Sequence, residues 1–547
     1  YGTARRQDLT GSVASIKSDN LKNHVMFSVD DALKGGVAGL MVSSTSGQPG
    51  AASKMLIRGA ASLSGSTSPL IVVDGFPLSD VSTSSGMGMS GLDSQMSSLS
   101  MINTEDIASI EVLKDASSTA IYGNRGANGV IMITTKKGRA SNGRIQYNGY
   151  VSVQNLPHKY DMLDFKGTIM SALLSQPFDL RDEQTQTMFR RAGVEQYMIN
   201  NYNDSNKQNP VTMANDIKMK KILSRTIANS YLQYNILDDL VLKVTAGFDN
   251  YSMEDKQFYP TTTPRGYLYN AQAVMANISS FGWLNENTLT WSPVFAGKHR
   301  LNIMAGVTEQ GSRYYYNATE ASSFSNESLG YNNLSLAKDF HSYSNTSTGS
   351  MLSFIFRGNY AYDDRYIGTF TFRRDGTSTF LKNKWGSFFS GAFAWNAKQE
   401  EFLKYNRAIS TLKLRASVGE VGNSNVPTSG SFAQLYTTST AFGTSLSIGQ
   451  SPVTLANENL TWEKTLEYNL GLEFGVLDER LHFDLDLYHK TTRDLLLDAP
   501  VLNISGYTKA WQNVGSIRNM GVEFSISTAV TSNGLSAATS ATTTPRS

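Results

Sequence analysis

The sequence predicts a two-part protein: a small mixed α/β domain over about the first 140 residues, then a transmembrane antiparallel β-barrel. Three observations predict it. Short apolar runs of strand composition alternate with capped helical stretches before Gly138. Hairpins with period-two apolar alternation recur through the rest of the chain. Their connections are short on one side and long and polar on the other.

Bulk properties fit this division. At 547 residues the chain is too long for one ordinary core. A formal net charge of +2 argues against a nucleic-acid partner. The chain has no cysteine, which removes disulfides, thiolate metal sites and cysteine nucleophiles. No apolar run reaches the ~18 residues of a membrane-spanning helix. Barrel strands alternate apolar and polar residues, however, and average to mild hydrophilicity, as the mean hydropathy of −0.28 does here. The opening Tyr1-Gly-Thr-Ala-Arg-Arg reads as mid-sequence, so a mature or truncated piece is expected.

In the N-terminal part, Leu40–Val42, Met55–Ile57, Leu70–Val73, Ile107–Leu113 and Val130–Thr135 have strand length and composition. Ser28 and Asp31 suit the start of a short helix ending at Gly35-Gly36. Asp115 is placed to cap a second helix, Ala116–Tyr122, stopped by Gly123. Glycines 59, 75, 123, 126 and 129 fall at element ends, where positive φ or close backbone approach is wanted. Arg58, Asp74, Glu111, Lys114, Asp115 and Arg125 are read as buried ion pairs that fix the strands. No nucleophile accompanies them, so an acid/base cluster is not expected. Gly86-Met-Gly-Met-Ser-Gly91 spells a dinucleotide motif but opens no apolar-periodic helix, and is read as a loop.

The barrel is most legible in Trp462–Lys490. Leu466, Tyr468, Leu470, Leu472, Phe474 and Val476 alternate with Thr465, Glu467, Asn469, Gly471, Glu473 and Gly475. After a turn at Asp478-Glu479, Leu481, Phe483, Leu485 and Leu487 alternate with His482, Asp484, Asp486 and Tyr488. The same hairpin recurs around Asp238-Asp239, Gly297-Lys298 and Asp363-Asp364, and Leu412–Val418 gives a further strand. A soluble sandwich would bury the apolar face and a barrel would turn it to lipid, and periodicity alone does not choose. Long polar connections, read over 252–279, 311–350 and 422–461, all fall on one rim. That asymmetry favours the barrel.

Leu33-Lys-Gly-Gly-Val-Ala-Gly-Leu40, Gly47-Gln-Pro-Gly50, Ile57-Arg-Gly59, Val73-Asp-Gly75, Glu105–Val130 and Lys136-Lys-Gly138 stand in one order and spacing. This series resembles the plug domain of TonB-dependent outer-membrane transporters of the SusC/RagA type. In the barrel, Leu460-Thr-Trp-Glu463, Arg374-Asp-Gly376, Ser417–Asn423 and Asn513–Glu523 are similar to the same family. The resemblance implies a plug (1–140) inside a barrel (141–527), with Arg58, Gly59, Asp74, Gly75, Glu111, Lys114, Asp115, Tyr122, Gly123, Arg125, Gly126 and Gly129 as the plug signature, structural and gating. It implies no catalysis and no cofactor. It implies active import of an oligosaccharide or oligopeptide across the outer membrane of a Bacteroidetes-type bacterium, TonB as energy donor and a SusD-like lipoprotein as lid. The segment TonB pulls would precede Tyr1.

Two departures from the family are expected. About a dozen to fourteen strands are legible, against about 22 in plugged transporters. The deficit falls between Gln154 and Arg225, where Gln186–Tyr197 reads as helical or irregular, and in the Ser/Thr/Ala-rich 528–547, read as a tail outside the barrel. The six histidines (24, 158, 299, 341, 482, 489) are scattered, and no metal site is expected. Tyr314-Tyr-Tyr316, Tyr267 and Tyr269 suit an interfacial girdle or loop packing, with stacking on sugar rings as the alternative. A surface adhesin, a siderophore or other-ligand receptor of the same family, and an unplugged porin are the rival functions. The N-terminal domain argues against the porin.

Overall fold

A computed structural model describes residues 8, 10–17, 29–44, 52–62, 67–78, 97, 99, 102, 104–136, 215–427, 430–443 and 445–528. The readings of Ser28, Gly86–Gly91, Gln186–Tyr197 and the tail beyond Thr528 fall outside them.

The N-terminal domain contains β1 (Val13–Lys17), α1 (Val29–Leu33), β2 (Leu40–Ser44), β3 (Ser53–Ile57), β4 (Leu70–Val73), β5 (Phe76–Pro77), β6 (Ile107–Leu113), α2 (Ala116–Thr119) and β7 (Val130–Thr135). Five strands pair in the order β1-β6-β7-β4-β5, with β4 parallel to β7, and β2–β3 form a separate hairpin. All five predicted strands are present. β1 leaves no signal in the sequence because Val13-Ala-Ser-Ile-Lys is too short and mixed to show a period. The core joins Val29 and Leu33 to Ile57, Ile107, Ile110, Val112, Ile131 and Ile133.

Asp115 caps α2 by accepting from Ser118 N at 3.2 Å. The helix is shorter than predicted. It passes at Ala120 into a 3-10 stretch broken at Gly123, whose φ of 60° and ψ of −137° are non-helical. Ser117, Ser118 and Thr119 explain the loss, since short hydroxyl side chains compete for the backbone; Ser118 Oγ does so at Asp115 O, 2.9 Å away.

The remaining strands are β8 (Lys218–Leu237), β9 (Leu240–Tyr259), β10 (Gln272–Trp291), β11 (Val294–Phe295), β12 (His299–Phe324), β13 (Ala337–Tyr362), β14 (Tyr366–Thr377), β15 (Trp385–Asn396), β16 (Ile409–Asn423), β17 (Gln434–Phe442), β18 (Ser445–Leu455), β19 (Glu463–Val476), β20 (Leu481–Arg493), β21 (Leu496–Pro500), β22 (Lys509–Asn513) and β23 (Ser516–Thr528). Twelve form one sheet among the described residues. Eleven run β8-β9-β10-β12-β13-β14-β15-β16-β19-β20-β23, and β11 pairs with β12. β17, β18, β22 and β21 form a smaller sheet from two loop insertions. Two short helices, α3 (Pro264–Leu268) and α4 (Glu401–Lys404), sit in connections.

Burial along β19 settles what periodicity could not. Thr465, Glu467 and Asn469 are 1%, 4% and 3% exposed, while Tyr468 and Leu470 between them are 52% and 57% exposed. Polar residues face in and apolar residues face out. Elsewhere Phe354, Phe356, Phe370, Phe389 and Phe393 point outward, and Ser353, Thr371, Arg373, Asp375 and Ser390 are buried. A soluble sandwich would show the opposite. Residues from β8 to β23 meet the N-terminal domain: Asn229 donates to Asp74 O, Leu284 packs on Phe76, Ile355 on Ile121, and Asn519 donates to Ala60 O. A flat sheet cannot do this, so the wall curves round the domain.

The predicted turns hold. Asp363 and Asp364, and Leu477, Asp478 and Glu479, take positive φ at tight hairpins on one rim. On the other rim two of the long loops are shorter than expected, and the third keeps its length but carries strands. β9 runs to Tyr259 and β10 begins at Gln272; β12 runs to Phe324 and β13 begins at Ala337; 424–462 holds β17 and β18. Membrane crossing needs only ~9–11 residues. The surplus of these 20- to 26-residue strands is Ser-, Thr-, Asn- and Tyr-rich because it continues the ladder outside the hydrocarbon, where outward residues meet water.

Candidate functional site

The charged residues of the N-terminal domain were expected to pair with one another. Arg58, Lys114 and Asp115 instead find partners on the barrel wall. Arg58 Nε donates to Glu523 Oε1 at 2.9 Å, Nη2 to Glu523 Oε2 at 3.1 Å, and Nη1 to Glu467 Oε1 at 2.7 Å. This fork matches guanidinium geometry, with two carboxylates from β19 and β23 as its counter-charges. Burial alone would drive Arg58 toward neutrality; the Glu523 and Glu467 carboxylates outweigh it and hold the guanidinium charged. Its ring neighbour is Tyr488, 4.7 Å from the guanidinium carbon.

Backbone conformation aims this side chain. Arg58 and Gly59 have φ of 54° and 84°, so the chain turns sharply after β3. A non-glycine residue pays for that conformation with strain of order 1 kcal/mol. Gly39 packs against the same carboxylate: with φ of 80°, any Cβ there would collide with Glu523.

Lys114, the residue after β6, adds a second cation. Its Nζ lies 2.7 Å from Glu523 Oε2 and 3.9 Å from Asp486. Asp486 on β20 also accepts from Ser12 Oγ at 2.9 Å and Arg415 Nη2 at 3.3 Å. Arg415 Nε stands 2.9 Å from Glu473 but is poorly aligned with it, while Nη1 donates to Gly11 O at 2.9 Å. Asp115 accepts from Ser417 Oγ at 2.8 Å, Glu467 accepts from Ala116 N at 3.1 Å, and Lys490 donates to Ala127 O at 2.9 Å. On the opposite side Arg373 donates to Ile121 O at 2.6 Å and to Asp375 at 2.6 Å. Gly123 packs there so closely that a Cβ would overlap Arg373 and Asp375. Thr10 Oγ1 donates to Thr369 Oγ1 at 2.9 Å.

Other signature residues serve the domain itself. Asp74, with φ of 50°, and Gly75 make the β4–β5 turn, and Asp74 accepts from Thr135 N at 2.9 Å. Arg125 donates to Leu78 O at 2.6 Å, and Tyr122 packs on the Leu70–Val130 cluster. A Cβ on Gly126 would press on Thr119 O, and one on Gly129 on Ile57. Glu111 is part-buried on β6, and burial raises its carboxyl above the usual range. In the sequence Glu467 and Asp486 are only polar positions of an alternation. Their pairing with residues about 400 positions away left no local signal.

The arrangement is a domain seated in a barrel by a buried seam of ion pairs and hydrogen bonds. Residues 5–130 match the TonB-dependent receptor plug domain, and residues 151–546 match the β-barrel of TonB-dependent receptor-like proteins. The chain therefore belongs to the TonB-dependent receptor family of outer-membrane barrels. It is 32% identical to TonB-dependent receptor P3 of Formosa agariphila, over 96% of this chain and 61% of that protein. It is 30% identical to TonB-dependent receptor SusC of Bacteroides thetaiotaomicron, over 96% of this chain and 64% of that protein. The chain thus spans less than two thirds of the curated relatives it matches. A solved structure described as the RagAB peptide transporter shares the fold, with a TM-score of 0.75 at 22% identity over 96% of this chain and 72% of that one.

Proposed function

We propose that the chain is the plug-and-barrel part of a TonB-dependent importer that brings oligosaccharides or oligopeptides across the outer membrane of a Bacteroidetes-type bacterium. The observation that carries this reading is the seam of Arg58, Lys114, Glu467, Asp486 and Glu523. An apolar interface of that size would resist separation, whereas charged groups regain hydration when pulled apart. Force applied through TonB, acting N-terminal to β1, would part Ser12 and Arg58 from the wall before it reached the apolar core around Ile110 and Ile131. Plug opening then needs less work than global unfolding. The signature residues divide into a wall-facing set that gates (Arg58, Gly59, Lys114, Asp115, Gly123) and a set that holds the plug fold (Asp74, Gly75, Glu111, Tyr122, Arg125, Gly126, Gly129). The long-loop rim, with the β17-β18-β22-β21 sheet, faces the cell exterior and is the surface for substrate and a SusD-like lid. The barrel transports and performs no catalysis.

Uptake of labelled oligosaccharides and oligopeptides by cells carrying the full-length gene tests this. Uptake is expected to collapse when TonB is deleted. Uptake that is indifferent to TonB would refute active import, and surface binding without uptake would identify an adhesin.

A further inference from the structure

The outward wall holds an apolar groove over β15, β16, β19 and β20, with a volume of ≈ 380 Å³. Phe393 and Trp395 border it on one side and Leu485 and Leu487 on the other. Its floor is Ala416, where the neighbours Leu414 and Leu470 leave a gap between longer side chains. Leu414, Leu470 and Leu487 are all exposed, so the groove opens away from the plug onto the lipid-facing surface.

On β15 the groove ends at Trp395, next to the last residue of the strand, and on β19 and β20 it ends at Leu472 and Leu485, four residues from the short-turn rim, where two connections meet. Glu479 N donates to Ser410 Oγ at 3.1 Å, joining the β19–β20 turn to the start of β16. The connection containing α4 is held against the outer wall by Glu400, which accepts from Tyr366 Oη at 2.7 Å and Trp395 Nε1 at 3.1 Å. Both donors belong to the outward aromatic surface. This leaves Phe402 and Tyr405 as exposed as any rings among the described residues, at 72% and 79%. Lys404 and Arg407 flank them in sequence, Arg480 follows Glu479 in the turn joined to Ser410, and none of the three has a carboxylate partner among the described residues. Among the acids of the same rim, Glu401 lies 3.5 Å from Arg365 and Glu479 lies 2.9 Å from His482, while Asp478 in the β19–β20 turn has no ion pair among the described residues.

We propose that this groove and rim form a site for one anionic phospholipid of the periplasmic leaflet, with an acyl chain in the groove and the headgroup phosphate among Lys404, Arg407 and Arg480. The inference rests on the outer-membrane reading of the wall, because only there is the groove continuous with lipid. Rings and cations at one rim, beside an apolar channel, match the two ends of a phospholipid. Held there, the lipid would fix α4 and the two turns beneath the seam residues Arg415 and Glu473.

Native mass spectrometry of the full-length protein, released from mild detergent with added phosphatidylglycerol or phosphatidylethanolamine, tests the site. Phosphatidylglycerol adducts are expected to outlast phosphatidylethanolamine adducts under collisional activation. Arg407→Gln should weaken them about fivefold, in line with the contribution of one basic residue near a membrane surface. Ala416→Phe, which fills the groove, should reduce adducts of both lipids while thermal melting stays unchanged. Equal retention of the two lipids in wild type, or adducts indifferent to both substitutions, would overturn the proposal. Loss of TonB-dependent uptake in wild-type cells would sink the import reading and leave these adducts unaffected.

Discussion

Arg58→Ala is expected to loosen the plug by about 3–5 kcal/mol, the usual effect of removing one partner from a buried ion pair. The deletion strands two carboxylates at once, Glu467 and Glu523, which are 4% and 2% exposed. Lys114 still reaches Glu523 at 2.7 Å, so Glu467 suffers more of the loss, with Lys490 as its remaining cationic neighbour. Hydrogen exchange should show faster opening of β1, β3 and β6 with the barrel strands unchanged, and cells should admit large antibiotics. Arg58→Lys should recover only part of the effect, because an ammonium cannot serve both carboxylates in fork geometry. A double substitution with Glu523→Gln should cost less than the sum of the two singles, since it removes an orphaned charge.

Leu470→Arg on the outward face of β19 is expected to cost about 2–4 kcal/mol, as for a basic residue near the bilayer midplane. The side chain is more than half exposed and lies between Ala416 and Leu487 on neighbouring strands. In a soluble sandwich the same substitution at an exposed site would change stability by less than about 0.5 kcal/mol. Equilibrium unfolding from lipid vesicles in guanidinium, compared with Leu477→Arg at the exposed turn, separates the two. Leu477→Arg should be near neutral because it sits at the rim.

How far the sequence could be read follows from the range of each interaction. Period-two alternation is local, so the β19–β20 hairpin and the Asp363-Asp364 turn were legible residue by residue. The Asp115 cap was legible for the same reason. Strand ends were not: beyond Ser252 on β9 and Gly311 on β12 the apolar rhythm fades while the hydrogen-bonded ladder continues. Apolar period reports lipid contact and says nothing of backbone pairing in water. The seam was the least legible feature. Arg58 and Lys114 stood out as charged residues in an apolar setting, but nothing near them names Glu467, Asp486 or Glu523. Which face is buried also needed the structure, since a sandwich and a barrel share one pattern with opposite burial.

The central claim is that this plug sits against the barrel wall and must leave it for transport. Thr10 and Thr369 offer the direct test, because their hydroxyls meet at 2.9 Å across the seam and the chain has no cysteine to interfere. In the full-length protein carrying Thr10→Cys and Thr369→Cys, oxidation should cross-link plug to wall. The account predicts that uptake stops when the bond forms and returns on reduction, while each single cysteine transports normally. Undiminished uptake through quantitatively cross-linked protein would contradict it.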